Sequence, residues 1–271
     1  MPNEPSAAAL LAATAEAHDA SILGRTNDHL LAVVRLQRPS GKVIAYELTI
    51  DASTREPSVR EQTPRHLPTF CPNRHINAGG AFCMDFPDVD ALRVEDASSA
   101  AEWWARLWKF LSLQVTAATL RRWPNKHQWA HGSAAHHQHR SELCARALGP
   151  EIAGALAVDR LQAVRCASRP NFVTLLCGGK RVYSVWRKPV RVTTLRQACP
   201  CGSGLTLRRC SDHALRAAEL VDQLQAWQRA EDAFWKAAAG RRCCGTLDQC
   251  PLMSATTPAN SASLVPTTHA A

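Results

Sequence analysis

The first part of the chain alternates apolar and polar positions in a way that predicts a small antiparallel sheet preceded by a helix. Residues 6–20 are rich in Ala and Leu without internal Gly or Pro, and predict the helix. Residues 30–37 and 43–50 predict two strands, because residues 38–42 between them contain the Pro, Ser and Gly of a turn. In the second strand every other residue is apolar, which indicates one buried face. These residues are Ile44, Tyr46, Leu48 and Ile50.

A third strand and a long helix are expected on either side of the next loop. Residues 55–68 contain prolines and predict a connection, and residues 69–70 are expected to end the third strand. Ser99 and Glu102 have the spacing of a capping box at the start of a helix, and Pro124 ends it. One face of this helix is apolar, as expected for a helix packed in a core. Its residues are Trp104, Leu107, Trp108, Leu111 and Val115.

The second half of the chain predicts a smaller mixed module. Residues 145–166 have a mostly helical pattern with a break at residues 149–150, where Gly precedes Pro. Residues 172–177 and 181–186 predict a β-hairpin, because a Gly-Gly-Lys turn separates them. Residues 217–238 predict an amphipathic helix.

These patterns predict an α+β fold in three parts. Residues 1–145 form a first domain with an N-terminal helix, a meander sheet, a loop and a C-terminal helix. Residues 146–253 form a cysteine-rich α+β module, and the uncharged Ser/Thr/Ala/Pro composition of residues 254–271 predicts a disordered tail. No apolar run approaches the ~20 residues of a membrane span, and the N-terminus lacks the basic start of a secretory signal. With 11 cysteines, the chain is expected in a reducing compartment, the cytoplasm.

The positive charge is concentrated in the second half. The formal net charge is +9, and residues 131–271 carry 18 Lys and Arg against 9 Asp and Glu. Between Arg160 and Arg216 there are 12 basic residues, opposed only by Asp212. Such a surface favours an acidic protein partner or nucleic acid.

One loop carries residues that suit acyl transfer. In residues 65–84, an apolar run is followed by Cys71-Pro72-Asn73, by a Gly-rich segment with His75 and Asn77, and by Cys83. A cysteine thiolate can attack a carbonyl, and a nearby amide or imidazole donor can stabilise the oxyanion that forms. The alternative is that Cys83 is a small buried hydrophobic residue, as free cysteines often are.

The element order and the residues around Cys83 resemble the ubiquitin-conjugating enzymes. In that family a His-Pro-Asn tripeptide precedes a glycine and a catalytic cysteine that lies between apolar residues. Here Gly80-Ala81-Phe82-Cys83-Met84-Asp85 matches the second part. In the first part, Cys71-Pro72-Asn73 matches with Cys71 in place of the histidine, ten residues separating Asn73 from Cys83. Alternatively His75-Ile76-Asn77 takes the place of the tripeptide, so either asparagine is a candidate oxyanion donor.

The chain is most similar to divergent bacterial ubiquitin-conjugating-like (E2-like) proteins with an associated cysteine-rich region. This resemblance implies that Cys83 accepts a ubiquitin-like modifier as a thioester from an adenylating (E1-like) activating enzyme. The modifier would pass to a lysine or another acceptor, with Asn73, His75 and Asn77 around the thiol. A deconjugating metalloprotease is implied as a further partner. Exchange between thioesters is nearly isoenergetic, so Cys83 does not need a strongly lowered pKa.

The cysteine-rich module contains the sharpest motif in the chain. Cys199, Cys201 and Cys210, with His213 shortly after, resemble the zinc motif of the SecA C-terminal (SEC-C) family. Three thiolates and one imidazole are a tetrahedral donor set that zinc favours. In that family the fourth ligand directly follows the third cysteine, where this chain has Ser211. Either His213 or a thiol from residues 243–244 is therefore expected to complete the site.

Three further cysteines, Cys243, Cys244 and Cys250, have no decisive spacing. They could share the first zinc, form a second zinc site with Cys166 or Cys177, or simply pack. The His-rich residues 134–139 are expected on a solvated loop.

Two functions follow from these observations. The favoured one is a ubiquitin-conjugating-like thioester carrier, with a zinc-stabilised basic module that docks a partner. The alternative is a non-catalytic, zinc-bearing adaptor that binds nucleic acid or an acidic protein through its basic half. The residues around Cys83 favour the carrier, and the missing histidine of the tripeptide favours the adaptor.

Overall fold

The computed structural model describes residues 4–38, 40–124 and 129–253. The fold is α+β, as predicted, with two four-stranded antiparallel sheets that each follow the chain order of their strands. Each sheet belongs to its own hydrophobic core. The expected tail, residues 254–271, lies outside the described residues.

The first core is built from a meander sheet and the helices around it. Its elements are α1 (Ala7–Thr14), β1 (Ala20–Arg25), β2 (His29–Gln37), β3 (Val43–Asp51), β4 (Ser58–Glu61), α2 (Pro87–Asp90) and α3 (Ala97–Leu120). The alternating apolar side chains of β3 are buried, as predicted. Trp104 connects α3 to α1, because its indole nitrogen donates to the carbonyl oxygen of Leu11 at 2.9 Å.

Two strands of this sheet differ from the prediction. β1 was not expected; its pairing with β2 is interrupted by a register shift between Ile22 and Gly24, which obscures its periodicity. The third predicted strand is wrong, since residues 69–70 are not in a strand and β4 lies inside the expected connection. β4 has four residues, of which Val59 and Glu61 are buried, so it is too short for a clear alternating pattern.

The helix α3 begins earlier than expected, and most of its predicted face is buried: Trp104, Leu107 and Leu111 lie in the first core and Val115 packs against it. Asp96 is its N-cap and Ser99 is the third helical residue, each side chain accepting from the other's backbone amide. Trp108, expected in the core, is 41% exposed. The buried face includes Trp103, Phe110 and the polar Gln114.

The second core combines three helices with the second sheet. Its elements are α4 (Ala134–Leu148), α5 (Pro150–Ala157), β5 (Leu161–Cys166), β6 (Arg169–Cys177), β7 (Lys180–Arg187), β8 (Val190–Val192) and α6 (His213–Ala238). The hairpin of β6 and β7 and the helix α6 match the predicted pattern. The helical prediction for 161–166 is wrong, because these residues pair with β6 along their whole length.

The expected division at residues 145 and 146 falls inside α4. Cys144, Ala145 and Leu148 all lie in the second core, so this helix packs with the second half of the chain. The His-rich residues 134–139 form its first turns rather than a loop. None of the helices in the described part of the chain is both long and apolar enough to cross a membrane.

Candidate active site and metal centre

The loop that precedes Cys83 is a closed hairpin. Cys71 and Ile76 exchange two backbone hydrogen bonds, of 2.9 and 3.1 Å. Between them, Pro72–Arg74 form one turn of 3-10 helix, and His75 has a left-handed backbone with φ of 54°. The local sequence explains the turn, because Pro72 fixes φ at its first position and so favours the tight bend.

A short antiparallel pairing then places Cys83 beside this hairpin. Ile76 pairs with Phe82, the amide of Cys83 donates to the carbonyl of His75 at 2.8 Å, and the amide of Asn77 donates to Ala81 at 2.8 Å. Ile76 and Phe82 are buried in the first core. Since successive residues in extended pairing point to opposite sides, the side chains of Asn77 and Cys83 share the outer face. They are diagonal neighbours, a relation that usually separates Cα atoms by about 7–8 Å.

The turn between these two segments is open. Gly79 and Gly80 have φ of 78° and 82°, conformations that favour glycine. Among the described residues, the adjacent ones apart, no atom lies within 4 Å of the position that a Cβ would take at either glycine. Asn77 is exposed and Asn73 is half-buried in the 3-10 turn. The side chain of Asn77 makes no capping bond to the turn that it precedes.

The Cys83 thiol is not acidified by its surroundings. It is half-buried, and its sulfur lies 3.9 Å from the carbonyl oxygen of Asp85. Burial raises the pKa of the Cys83 thiol, and the nearby Asp85 carboxylate raises it further. Burial also raises the pKa of Asp85, whose Oδ2 atom accepts a hydrogen bond from the amide of Leu92 at 2.8 Å.

A pH profile of Cys83 alkylation tests this environment. We expect the midpoint for reaction with iodoacetamide to lie above the usual thiol pKa of ~8.5, because only the thiolate reacts. Asp85→Asn should move the midpoint to lower pH, since it removes a like charge while Asn can still accept from Leu92. Peptide mass spectrometry measures the alkylation of each cysteine separately. Cys166 is the internal control, because a hydrogen bond with Ser168 lowers the pKa of its thiol. A Cys83 midpoint below that of Cys166 would contradict the prediction.

His75 is buried and neutral at physiological pH. Burial, followed by the neighbouring His131, lowers the pKa of the His75 imidazole to about 4. Its ring stacks on His131 with centroids 5.8 Å apart and contacts Trp123 at 5.3 Å. His131 is itself held by Glu231 of α6, through an Nδ1 to Oε1 distance of 2.5 Å. His75 therefore packs the loop against the second half of the chain.

Arg74 forms a second connection between the two halves. Its guanidinium is 2% exposed, and its Nε donates to Gln114 Oε1 of α3 at 2.8 Å. Gln114 Nε2 donates back to the carbonyl of Arg74 at 2.6 Å. Arg74 Nη1 donates to Thr246 Oγ1 at 3.1 Å, far along the chain. Sequence patterns did not identify Arg74 or Gln114, because a buried polar pair has no periodic signal.

The predicted metal ligands come together. The ligand atoms of Cys199, Cys201, Cys210 and His213 all lie within 4.8 Å of one another, so this cluster could hold a metal ion. The sulfur of Cys199 is 3.2 Å from His213 Nδ1, and the sulfurs of Cys201 and Cys210 are 4.0 Å apart. Tight turns make this possible, because Gly202 and Gly204 both have positive φ. His213 thus occupies the fourth position.

The pKa values of two of these thiols diverge. Burial raises the pKa of the Cys199 thiol to about 12. The hydroxyl of Ser203 lowers the pKa of the Cys201 thiol to about 6.

The three later cysteines lie elsewhere. Cys244 contacts Cys71, with 3.1 Å between the sulfurs, and Cys250 lies near both. They do not complete the first cluster. Cys166 and Cys177 lie at the ends of β5 and β6, and the group that could hold a metal among the described residues includes neither of them.

The basic residues between 160 and 216 are mostly exposed on the second sheet and on the metal-cluster loop. Arg216 pairs with Asp212 and Glu219. Among the described residues, no other member of this set forms an ion pair, so the surface keeps its positive charge.

Two protein families match the chain, one over each of the two hydrophobic cores. The family described as "Prokaryotic E2 domain" matches residues 18–125, which include the Cys83 loop and α3. The family described as "Cysteine-rich domain, C-terminal to E2 domain" matches residues 130–252, which include α4 to α6 and the metal cluster. No curated protein and no solved structure matches the chain. The resemblance to E2-like proteins with an associated cysteine-rich region is confirmed, and the chain belongs to the proteins in which a prokaryotic E2 domain is followed by a cysteine-rich domain.

Proposed function

We propose that the protein carries a ubiquitin-like modifier as a thioester on Cys83. The observation that supports this most directly is the outer face formed by Cys83 and Asn77 beside an open Gly-Gly turn, within an E2 domain. The residue that carries the thiol is half-buried, so part of its surface is exposed to solvent. The glycines leave room for the extended tail of a modifier to approach the backbone.

Loading is an exchange between two thioesters. The Cys83 thiol releases its proton to water, and its thiolate attacks the modifier's carbonyl carbon on the activating enzyme. A carbon–sulfur bond forms to Cys83, and the bond to the activating enzyme's cysteine breaks, releasing that thiolate. A raised thiol pKa slows this step without preventing it, because the exchange is nearly isoenergetic and a small thiolate fraction suffices.

Discharge onto a lysine is the harder step. The neutral amine attacks the same carbonyl, its nitrogen loses one proton to water, Cys83 leaves as a thiolate, and an amide bond replaces the thioester. Negative charge develops on the carbonyl oxygen, where a fixed amide donor has its largest effect. We assign this donor to Asn77, because its exposed side chain shares the face of Cys83. His75 is a positioning residue, since its buried neutral ring fixes the hairpin that carries Asn77.

The direct test is a charging reaction. With its own activating enzyme, modifier and ATP, the wild-type protein should form an adduct that a reducing agent cleaves. A non-reducing gel with intact-mass analysis detects it. A chain that never charges under these conditions would overturn the carrier and favour the adaptor interpretation.

The exposed basic residues between 160 and 216 form a surface that could bind a partner in the same function. We propose that it docks an acidic surface of the modifier, the activating enzyme or the target, because its charges are exposed and largely unpaired among the described residues. Nucleic acid is the less favoured partner. A deconjugating metalloprotease remains a partner proposed from the family resemblance alone.

The metal cluster is proposed to hold structural zinc. Three thiolates and one imidazole within 4.8 Å of one another fit the tetrahedral donor set of zinc. The ion would connect the loop after β8 to the start of α6, where His213 is the first helical residue. The protein supplies all four ligands of a tetrahedral ion, which is typical of structural zinc sites; catalytic sites keep one position for water or substrate.

Removing a ligand should remove a zinc ion. We expect Cys201→Ser to bind one zinc fewer per chain than the wild type, by metal analysis of freshly purified protein. Structural zinc contributes on the order of 10–16 kcal/mol in small modules, so the variant should also unfold at a lower temperature than the wild type. Cys166→Ser, outside the cluster, is the matched control and should keep the wild-type zinc content. Equal zinc content in the wild type and Cys201→Ser would contradict the site.

A further inference from the structure

Four cysteines from the two domains meet between the active-site hairpin and the end of α6. Cys71 belongs to the E2 domain, whereas Cys243, Cys244 and Cys250 belong to the cysteine-rich domain. Cys71 and Cys250 are buried, and all four are free thiols. The sulfurs of Cys71 and Cys244 are 3.1 Å apart. The thiol of Cys250 interacts with that of Cys243 and lies near the other two.

Backbone amides lie close to several of these sulfurs, as they do in the first cluster of Cys199, Cys201, Cys210 and His213. Three of the four sulfurs accept from the amide of the residue two positions later. The pairs are Gly245 to Cys243, at 3.4 Å, Thr246 to Cys244, and Leu252 to Cys250. In the first cluster, the amides of Cys201 and Ser203 are directed in the same way at Cys199 and Cys201. Such donors stabilise the negative charge that metal-bound thiolates retain.

A buried positive charge completes the surroundings. Arg74 lies next to Cys71 and Cys244, and its Nη1 donates to the hydroxyl of Thr246. That hydroxyl lies 3.0 Å from the sulfur of Cys244 and, since it accepts from Arg74, can donate its own proton to this sulfur. Four thiolates around a divalent cation carry a net charge of about −2, which a guanidinium partly balances.

We propose that Cys71, Cys243, Cys244 and Cys250 form a second zinc site, which joins the E2 domain to the cysteine-rich domain. With Zn–S bonds of about 2.3 Å, the sulfurs of a tetrahedral site lie about 3.8 Å apart. The Cys71 and Cys244 sulfurs are therefore within reach of a common ion. In the described residues, the first cluster is the one whose ligand atoms all lie within 4.8 Å of one another. Closing the second site thus requires the side chains of Cys243 and Cys250 to turn toward the Cys71–Cys244 pair.

Native mass spectrometry of the full chain, prepared with zinc and a reducing agent, counts the ions directly. We expect two zinc ions per wild-type chain and one in Cys244→Ser. Cys201→Ser should also lose one ion, and Cys177→Ser, outside both clusters, should retain two. A wild-type chain with a single zinc that Cys201→Ser removes would overturn the proposal. A disulfide between Cys71 and Cys244 in this reduced preparation would overturn it as well.

Cobalt substitution covers the case in which Cys244→Ser does not fold. A site of four thiolates and a site of three thiolates with one imidazole differ in their cobalt absorption spectra. Cys201→Ser loaded with Co²⁺ should keep the spectrum of the four-thiolate site. The absence of that spectrum from both the wild type and Cys201→Ser would show that the four cysteines do not share a metal. This result is independent of the charging reaction, so it can fail while the carrier function stands.

Discussion

Replacing Cys83 with Ala is expected to abolish the thioester adduct, because the variant lacks the thiol on which the modifier is proposed to be carried. Cys83→Ser should instead form an adduct that resists reducing agents, since the serine hydroxyl would give an oxygen ester at the same position. Intact-mass analysis after treatment with a reductant distinguishes the two products.

The matched control for this pair of variants is Cys166→Ser. Cys166 lies at the end of β5 in the cysteine-rich domain, so this variant should charge like the wild type. An adduct that persists in Cys83→Ala, or that maps to Cys71, would show that the thioester is carried elsewhere. Cys71 is an unsuitable acceptor because it is 1% exposed and packs against Cys244.

Replacing Asn77 with Ala is expected to slow discharge onto lysine by ~10²–10³-fold while loading remains close to normal. A fixed donor for the oxyanion has its largest effect when an amine attacks, because attack of a neutral amine on a thioester is the harder of the two steps. Loading and discharge can be measured separately, by pulsing with the modifier, quenching the activating enzyme, and then adding free lysine. Asn77→Asp should resemble Asn77→Ala, since the carboxylate keeps the shape but has no N–H to donate.

Asn73→Ala separates the two alternatives that the sequence left open. Asn73 lies in the 3-10 turn between Cys71 and His75, and its side chain is half-buried. Its replacement should have only the modest effects of a changed turn on both steps. If Asn73→Ala, rather than Asn77→Ala, discharged slowly after normal loading, the oxyanion donor would be Asn73.

Elements with a strong local pattern could be predicted from the sequence. β3 alternates apolar and polar residues along its length, and the hairpin of β6 and β7 has a Gly-rich turn between its strands. The residues of the candidate metal site were identifiable for the same reason, because Cys199, Cys201 and Cys210 lie close together in the chain. Short elements failed, as β4 shows: four residues near a proline do not contain enough repeats to reveal a period.

The prediction of the buried face of α3 was wrong at one residue, Trp108, for a different reason. It counted apolar residues and therefore included Trp108, whereas the structure buries Gln114. Gln114 is inside because Arg74 is inside, and each satisfies the other's hydrogen bonds. Such a pair depends on residues from distant parts of the chain, so no local pattern reveals it. The meeting of Cys71 with Cys244 has the same origin.

The link from Arg74 to Thr246 has a consequence for how the protein is made. A nascent chain contains Cys83 and the whole first sheet long before residue 246 leaves the ribosome, and domains generally fold in order of synthesis. Until then, the guanidinium of Arg74 lacks the hydroxyl that it binds in the finished structure. The hairpin beside the Cys83 thiol is thus completed by a segment that is translated 172 residues after Arg74. A chain that has not yet reached residue 246 therefore contains the Cys83 thiol but not all the contacts that fix its loop.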